Sequence, residues 1–218
     1  MFYFPYTDVV ENEYPKTMSD NYIIITTARE IEKPEEVKDK VIQWMQSNEF
    51  IETELTNCIM STKNKGYKPG KKHIDAIGYD EDILKWTVCG VEIRTEREVF
   101  NAGAFTAMTK MECPNCARNR FEGITPQDFF TDNCTKEQLK LFHSVFPEFD
   151  NWTIHENATL TCPHCGRITN IEEYKIDNSL SFSNFGLTFW NWPDLTNHFL
   201  EQLKSVVGTE INRINGHL

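Results

Sequence analysis

The chain has 218 residues, 39% of them hydrophobic, and a formal net charge of −11 at pH 7. That length suits one large domain or two small ones, and the apolar content is adequate for a packed core. The acidic balance argues against a surface for duplex nucleic acid or anionic lipid, which needs a basic face, and no apolar run of about 18 residues is present to span a bilayer.

The start, Met1-Phe2-Tyr3-Phe4-Pro5, is apolar but short and lacks a basic opening, so it does not read as a signal peptide. Seven cysteines, an odd number, fit a reducing cytoplasm better than a disulfide framework. The charge is uneven: residues 1–60 carry 12 acidic and 5 basic side chains, against 7 and 8 over 61–105. Acidity keeps a cytoplasmic chain dissolved, and it also speeds encounter with a basic protein partner.

In chain order, residues 1–20 show no clean period and read as an irregular arm. Tyr22 to Thr27 is a β-branched run that reads as a buried strand. Pro34 opens a helix with Glu35 and Glu36 in its first turn, where acids complement the dipole. Val37, Val41, Trp44, Met45 and Asn48 recur at helical spacing, and Phe50 to Met60 resumes an extended pattern. Lys63, Lys65, Lys68, Lys71 and Lys72 crowd a stretch with Gly66, Pro69 and Gly70. The glycine spacing fails the phosphate-loop pattern, so the expectation is a solvated hairpin loop. Trp86 to Arg94 alternates as a strand, and Arg97 to Met108 is expected to pair back on it. Glu92, Arg94, Glu96 and Glu98 would then line a solvated sheet face.

Further on, Thr135-Lys136-Glu137-Gln138 makes a capping box. It is followed by a helical stripe of Leu139, Phe142, Val145 and Phe146 that Pro147 is expected to end. Leu187 to Trp192 reads as a strand and Pro193 as a helix start, with Asp194 in its first turn. The stripe Leu195, Phe199, Leu203 and Val206 runs to a Gly208 C-cap, and Glu210 to Ile214 closes the chain as a short strand. Strand–helix–strand units therefore stand at both ends.

Between them lie Cys113-Pro-Asn-Cys116 and Cys162-Pro-His-Cys165. Each C-x-x-C turn can aim two thiolates at one cation, and two turns supply the four tetrahedral ligands zinc favours in structural sites. Gly166 after the second pair suits a tight knuckle, whereas Ala117 after the first departs from that pattern. The two knuckles with their flanking strands resemble the four-cysteine zinc-ribbon proteins. That resemblance implies Cys113, Cys116, Cys162 and Cys165 as ligands of a structural zinc, with a helical insertion between the knuckles. Such ribbons serve rigidity, protein contact or nucleic acid contact. Two rival readings remain at this point: a disulfide oxidoreductase motif at Cys162–Cys165, which lacks the helix it needs, and structural disulfides. His164 is a rival ligand, read instead as an exposed turn histidine.

The fold class expected is α+β: a ferredoxin-like body built from the terminal βαβ units with an inserted four-cysteine zinc ribbon. Residues 1–105 form its N-terminal region, 106–178 the zinc module and 179–218 the returning C-terminal unit. No nucleophile elbow, H-E-x-x-H helix or dinucleotide fingerprint occurs. His155-Glu156 fails as an acid–base pair, since neighbours on a strand point to opposite faces. Cys58 and Cys89 read as buried thiols, and Cys134, before the capping box, as an outside candidate for reactivity.

The leading functional expectation is a non-enzymatic, acidic, zinc-braced interaction protein of the cytoplasm, using the helix from Pro34. Its concrete form is an immunity or antitoxin protein that masks a basic bacterial toxin. The alternatives are an enzyme with structural zinc, its pocket lined by Tyr22, Trp190 and Trp192, and a nucleic-acid contact through the ribbon and the Lys63–Lys72 stretch.

Overall fold

The computed structural model describes residues 20–79, 83–106, 109–125, 127–128, 134–177 and 179–218. The arm expected over 1–20 falls outside them except for Asp20. The main sheet is built from β1 (Asn21–Thr27), β2 (Ile51–Thr56), β3 (Gly66–Pro69), β4 (Gly90–Arg94), β11 (Gly186–Trp190) and β12 (Ile211–His217). Their order is β12-β1-β11-β4-β3-β2, with every pair antiparallel. Ile24 at the centre of β1 faces Thr188 on one side and Ile214 on the other. Strands from the two ends of the chain therefore meet in one sheet. Among the described residues it has six strands and not four, because β3 and β4 stand between β11 and β2.

The lysine-rich stretch is thus not simply a loop, since it contains β3. Close backbone approach makes this possible. A side chain on Gly66 would overlap Ile59 and the Val91 backbone, and one on Gly70 the Glu49 backbone. The alternation read over Trp86–Arg94 is strand only from Gly90, and Ile83–Lys85 before it is a 3₁₀ turn.

One sheet face is covered by α1 (Pro34–Ser47), α2 (His73–Ile77) and α5 (Asn197–Val207). Val41 and Met45 of α1 pack with Phe199, Leu203 and Val207 of α5 on Ile23, Ile25, Val91, Leu187 and Phe189 of the sheet. Each such buried side chain contributes about 1.5–3 kcal/mol relative to exposure. The C-terminal helix begins four residues later than expected from Pro193. The Thr196 hydroxyl accepts from the Phe199 N–H and sets the N-cap, while Asp194 pairs with Arg213 at 2.7 Å. Gly208, at φ 80°, ends it. The closing strand runs on to His217, beyond the Ile214 expected.

The opposite face is not left to solvent. β5 (Glu98–Phe100) pairs with β10 (Ser181–Ser183), not with β4. This ribbon is pinned to the sheet by Thr26–Ser181 and Thr27–Ser183 hydroxyl contacts of 2.8 and 2.6 Å. Phe100 fills a small core with Tyr22, Ile24, Ile214 and Trp190. Of the four charges read as solvated, Glu96 is exposed, while Glu92, Arg94 and Glu98 are wholly or partly enclosed. Glu92 is buried, Arg94 pairs with Glu98 at 2.6 Å, and the Arg94 guanidinium lies 4.8 Å over the Phe100 ring. Burial pushes the Glu98 carboxyl up, against the pull of Arg94.

A second apolar core spans residues 99–182. Phe105 stacks on Phe142 at 5.4 Å and meets Phe121, Phe146 and Phe149 edge-on. It holds α3 (Lys136–His143) and α4 (Phe146–Thr153). The capping box on Thr135 and Gln138 is formed, but Pro147 does not end the helix. It lies in the first turn of α4, where a missing N–H costs nothing. The Arg97 guanidinium ties this core to the sheet. It lies 3.9 Å over Trp152 of α4, 3.3 Å from Glu30 and 2.6 Å from His155 Nδ1. His155 therefore sits past the end of α4, at φ 63°, and not on a strand.

Candidate metal centre

The two cysteine turns are built alike. The Cys113 N–H donates to Arg118 O at 3.0 Å and the Ala117 N–H to Cys113 O at 2.8 Å. In the second turn Cys162 donates to Arg167 O at 2.9 Å and Gly166 to Cys162 O at 3.0 Å. Both turns need a left-handed residue after the second cysteine. Gly166 adopts it at φ 72° and Ala117 at φ 58°. The alanine thus takes the glycine's conformation at a cost of roughly 1–2 kcal/mol. Short antiparallel pairs hold the turns. β6 (Met111–Glu112) pairs with β9 (Lys175–Ile176), and β7 (Thr159–Thr161) with β8 (Ile168–Asn170).

These ladders bring all four sulfurs within 4.8 Å of one another. Cys113 and Cys165 are 3.9 Å apart, and Cys116 and Cys162 3.8 Å. A tetrahedron with zinc–sulfur bonds of about 2.3 Å has sulfur–sulfur edges of about 3.8 Å. A disulfide requires about 2.05 Å, and all four are free thiols. Donor type, number and spacing therefore fit one tetrahedral metal ion. Among the described residues no other group of three or more His, Cys, Asp or Glu side chains converges in this way.

Local dipoles favour the thiolate form at one ligand. Burial opposes ionisation of Cys113, but the N–H groups of Asn115 and Cys116 outweigh it and bring the thiol down to about 7. Cys116 receives an N–H from Arg118, yet burial and the three neighbouring thiols push it up to about 11. The knuckles are also laced together. Asn115 Nδ2 donates to Thr169 Oγ1 at 2.9 Å and Arg167 Nη1 to Asn115 Oδ1 at 3.2 Å. His164 is not an exposed turn histidine. Its side chain is largely covered, and Nε2 lies 2.8 Å from the Asn119 carbonyl, bridging one knuckle to the other and leaving the metal position to the cysteines.

Comparison with protein-family models, with curated proteins and with solved structures finds no match.

The other sequence candidates lie elsewhere. Cys58 and Cys89 are buried in the sheet body, and Cys134 precedes α3 outside the four-cysteine group. Tyr22 and Trp190 pack on each other at 5.5 Å, and Trp192 sits in the helix-side core. A cleft of about 480 Å³ opens instead between the sheet and the second core, lined by Arg29, Glu30, Trp152, Glu172, Lys175 and Asn212 among others. Arg120 was not legible from the sequence. It alternates with Arg118 beside the first knuckle, and nothing in the pattern tells the two apart. Arg118 is exposed and pairs with Glu122 at 2.7 Å, while Arg120 is buried beneath the centre.

Proposed function

We propose that Cys113, Cys116, Cys162 and Cys165 hold one zinc ion as a structural brace. We further propose that the chain is a non-enzymatic binding protein whose acidic N-terminal surface docks a basic protein partner. The observation that carries the first half is the sulfur tetrahedron built by two congruent turns. Four protein ligands fill the coordination shell and leave no position for water or substrate, which fits a brace and not a catalytic ion. On this reading, residues 106–178 are a zinc-ribbon module. The body is a ferredoxin-like sheet, since β12-β1-β11-β2 remains once the β3–β4 pair is set aside.

The second half rests on charge and exposure. Glu35, Glu36 and Asp39 stand exposed on α1, the first two paired with Lys38 and Lys33 at 3.0 and 2.8 Å, and Glu52 and Glu54 stand exposed on β2. Among the described residues β2 is the last strand on its side of the sheet, with Gln46 Nε2 of α1 donating to its Glu52 and Thr53 carbonyls at 3.4 Å. An acidic helix beside an acidic edge strand suits a basic protein, and an immunity or antitoxin protein masking a basic toxin is the concrete form. Nucleic acid fits this surface poorly.

Two measurements test the proposal. Elemental analysis of the purified chain should find one zinc per chain, removed together with the folded state by a strong chelator. Capture of a basic partner should weaken as salt is raised and as Glu35, Glu36 and Asp39 are replaced by Gln, Gln and Asn. Salt-insensitive capture counts against the charge reading, and a metal-free folded chain against the brace. The cleft favours a second reading, an enzyme or small-ligand binder with zinc as support. Its size falls within the range of ligand sites.

A further inference from the structure

Arg120 is 4% exposed and lies under the second knuckle. Nη1 donates to the carbonyl of Thr161, the residue preceding Cys162, at 2.8 Å. Nη2 donates to Ser144 Oγ at 3.0 Å, and Nε has no hydrogen-bond partner. The groups that exert charge on it are the Tyr174 phenol and the Cys162 sulfur. Among the described residues no carboxylate pairs with it. The phenol is ordinarily neutral below about pH 10.

A guanidinium stays charged in proteins, and a buried charge without a counter-charge is strongly destabilising. Thr161 O, Ser144 Oγ and the Tyr174 phenol are all neutral partners and supply no counter-charge. Four neutral thiols, or two disulfides, would leave it uncompensated as well. Four thiolates around a dication leave a net charge of about −2 at the centre. With the metal bound, Arg120 gains a counter-charge and offsets one of those two negative charges.

We propose that Arg120 is the internal counter-ion of the four-thiolate metal centre, a positioning residue that sets how tightly the metal is held. This rests on the zinc reading above and deepens it. Arg118 is near Cys116 and Cys162 as well, but it is exposed and committed to Glu122. It therefore contributes less than the buried charge, because solvent screens it.

The test uses the full chain and zinc competition against a chromophoric chelator. Arg120→Met should weaken zinc binding by about 10- to 100-fold, the range found when groups supporting metal ligands are removed. Arg120→Lys should recover much of that loss, since it restores the charge without the same hydrogen bonds. A structural role for those hydrogen bonds alone would make Lys as poor as Met.

The decisive readout is a second background. Cys165 is the exposed ligand, and Cys165→His lowers the negative charge of the centre by one unit. In that background Arg120→Met should cost at least several-fold less affinity than in the natural one. An equal cost in both backgrounds, or wild-type affinity for Arg120→Met, overturns the proposal. If Arg120→Met fails to fold even with zinc, Arg120→Met/Cys165→His should regain zinc-dependent helical signal, and continued failure overturns the proposal too. A wild-type chain that binds no zinc fails the metal reading itself and is seen separately.

Discussion

The ring of Tyr22 occupies the space that a side chain at position 216 would fill. The two residues face each other across the β1–β12 pair, and a Cβ added to Gly216 would run into the ring edge and hydroxyl of Tyr22. The ring is held there from its far end, where Tyr22 OH donates to Asn101 Oδ1 at 2.7 Å. Residue 216 is glycine because an aromatic from the neighbouring strand covers it.

Gly216→Ala should therefore displace Tyr22 and lower stability by about 1–3 kcal/mol, the usual cost of overpacking. Chemical denaturation of the zinc-loaded chain measures it. Tyr22→Ala/Gly216→Ala should lose less than the sum of the single changes, because the clash disappears with the ring.

The knuckles give a pair of opposite predictions. Ala117 holds φ 58° with a Cβ present, so Ala117→Gly should stabilise by about 0.5–1 kcal/mol, the left-handed cost of roughly 1–2 kcal/mol less the extra chain entropy of glycine. Gly166→Ala should destabilise by a similar about 0.5–1 kcal/mol. No atom lies within 4 Å of the added methyl, so backbone conformation alone is tested. Thermal melts of the zinc-loaded variants read both signs.

How far the sequence anticipated this structure follows from the range of the causes. The β-branched run of β1, the α1 stripe ending in Val41 and Met45, and the two C-x-x-C turns are local patterns, and local patterns are readable. The pairing of Glu98–Phe100 with Ser181–Ser183 is set across some 80 residues, and no period announces it. Glu92 reads as surface from its own strand and is buried, its carboxylate accepting from Asn64 Nδ2 at 2.7 Å, a partner 28 residues away. β3 hides within a lysine-rich stretch because what admits it is the absence of a side chain at Gly66 against Val91, a tertiary contact. At the centre, the ligands were legible from spacing. Arg120 was not, because burial of one arginine in an Arg-x-Arg pair depends on where Thr161 and Ser144 come to lie.

Acid should empty the metal centre. Metal-bound cysteines are deprotonated, so protons compete with zinc and apparent affinity falls as pH falls. The sign is the same at Cys113 in the metal-free fold. Its thiol is lowered to about 7, so its contribution is complete above its unfolded value and is lost as pH drops through about 7. Melting temperature followed downward from pH 8 with zinc present should fall together with metal content. Cys162→Ser should abolish this metal-linked transition, and Cys58→Ser, away from the centre, should keep it.

Arg97 is the clasp between the sheet and the second core. Its guanidinium lies flat enough against Trp152 to sit 3.9 Å from the ring centroid, with Glu30 on its charged edge. Trp152 is held in turn by its indole N–H, which donates to Glu172 at 2.6 Å. The ring is almost fully buried and Arg97 largely so, which puts the cation–π pair at about 1–2 kcal/mol. Arg97→Lys keeps the charge but loses the planar stack, so it should recover little of what Arg97→Ala loses. A double-mutant cycle of Arg97→Ala with Trp152→Leu should return a coupling near about 1 kcal/mol. Since Glu30 and Trp152 both line the cleft, the same variants should loosen its walls, read as a shift in Trp152 emission toward longer wavelength. A coupling of zero with unchanged emission would mean that Arg97 is no clasp, and that the joint rests on other contacts such as Thr26–Ser181, Thr27–Ser183 and Tyr22–Asn101.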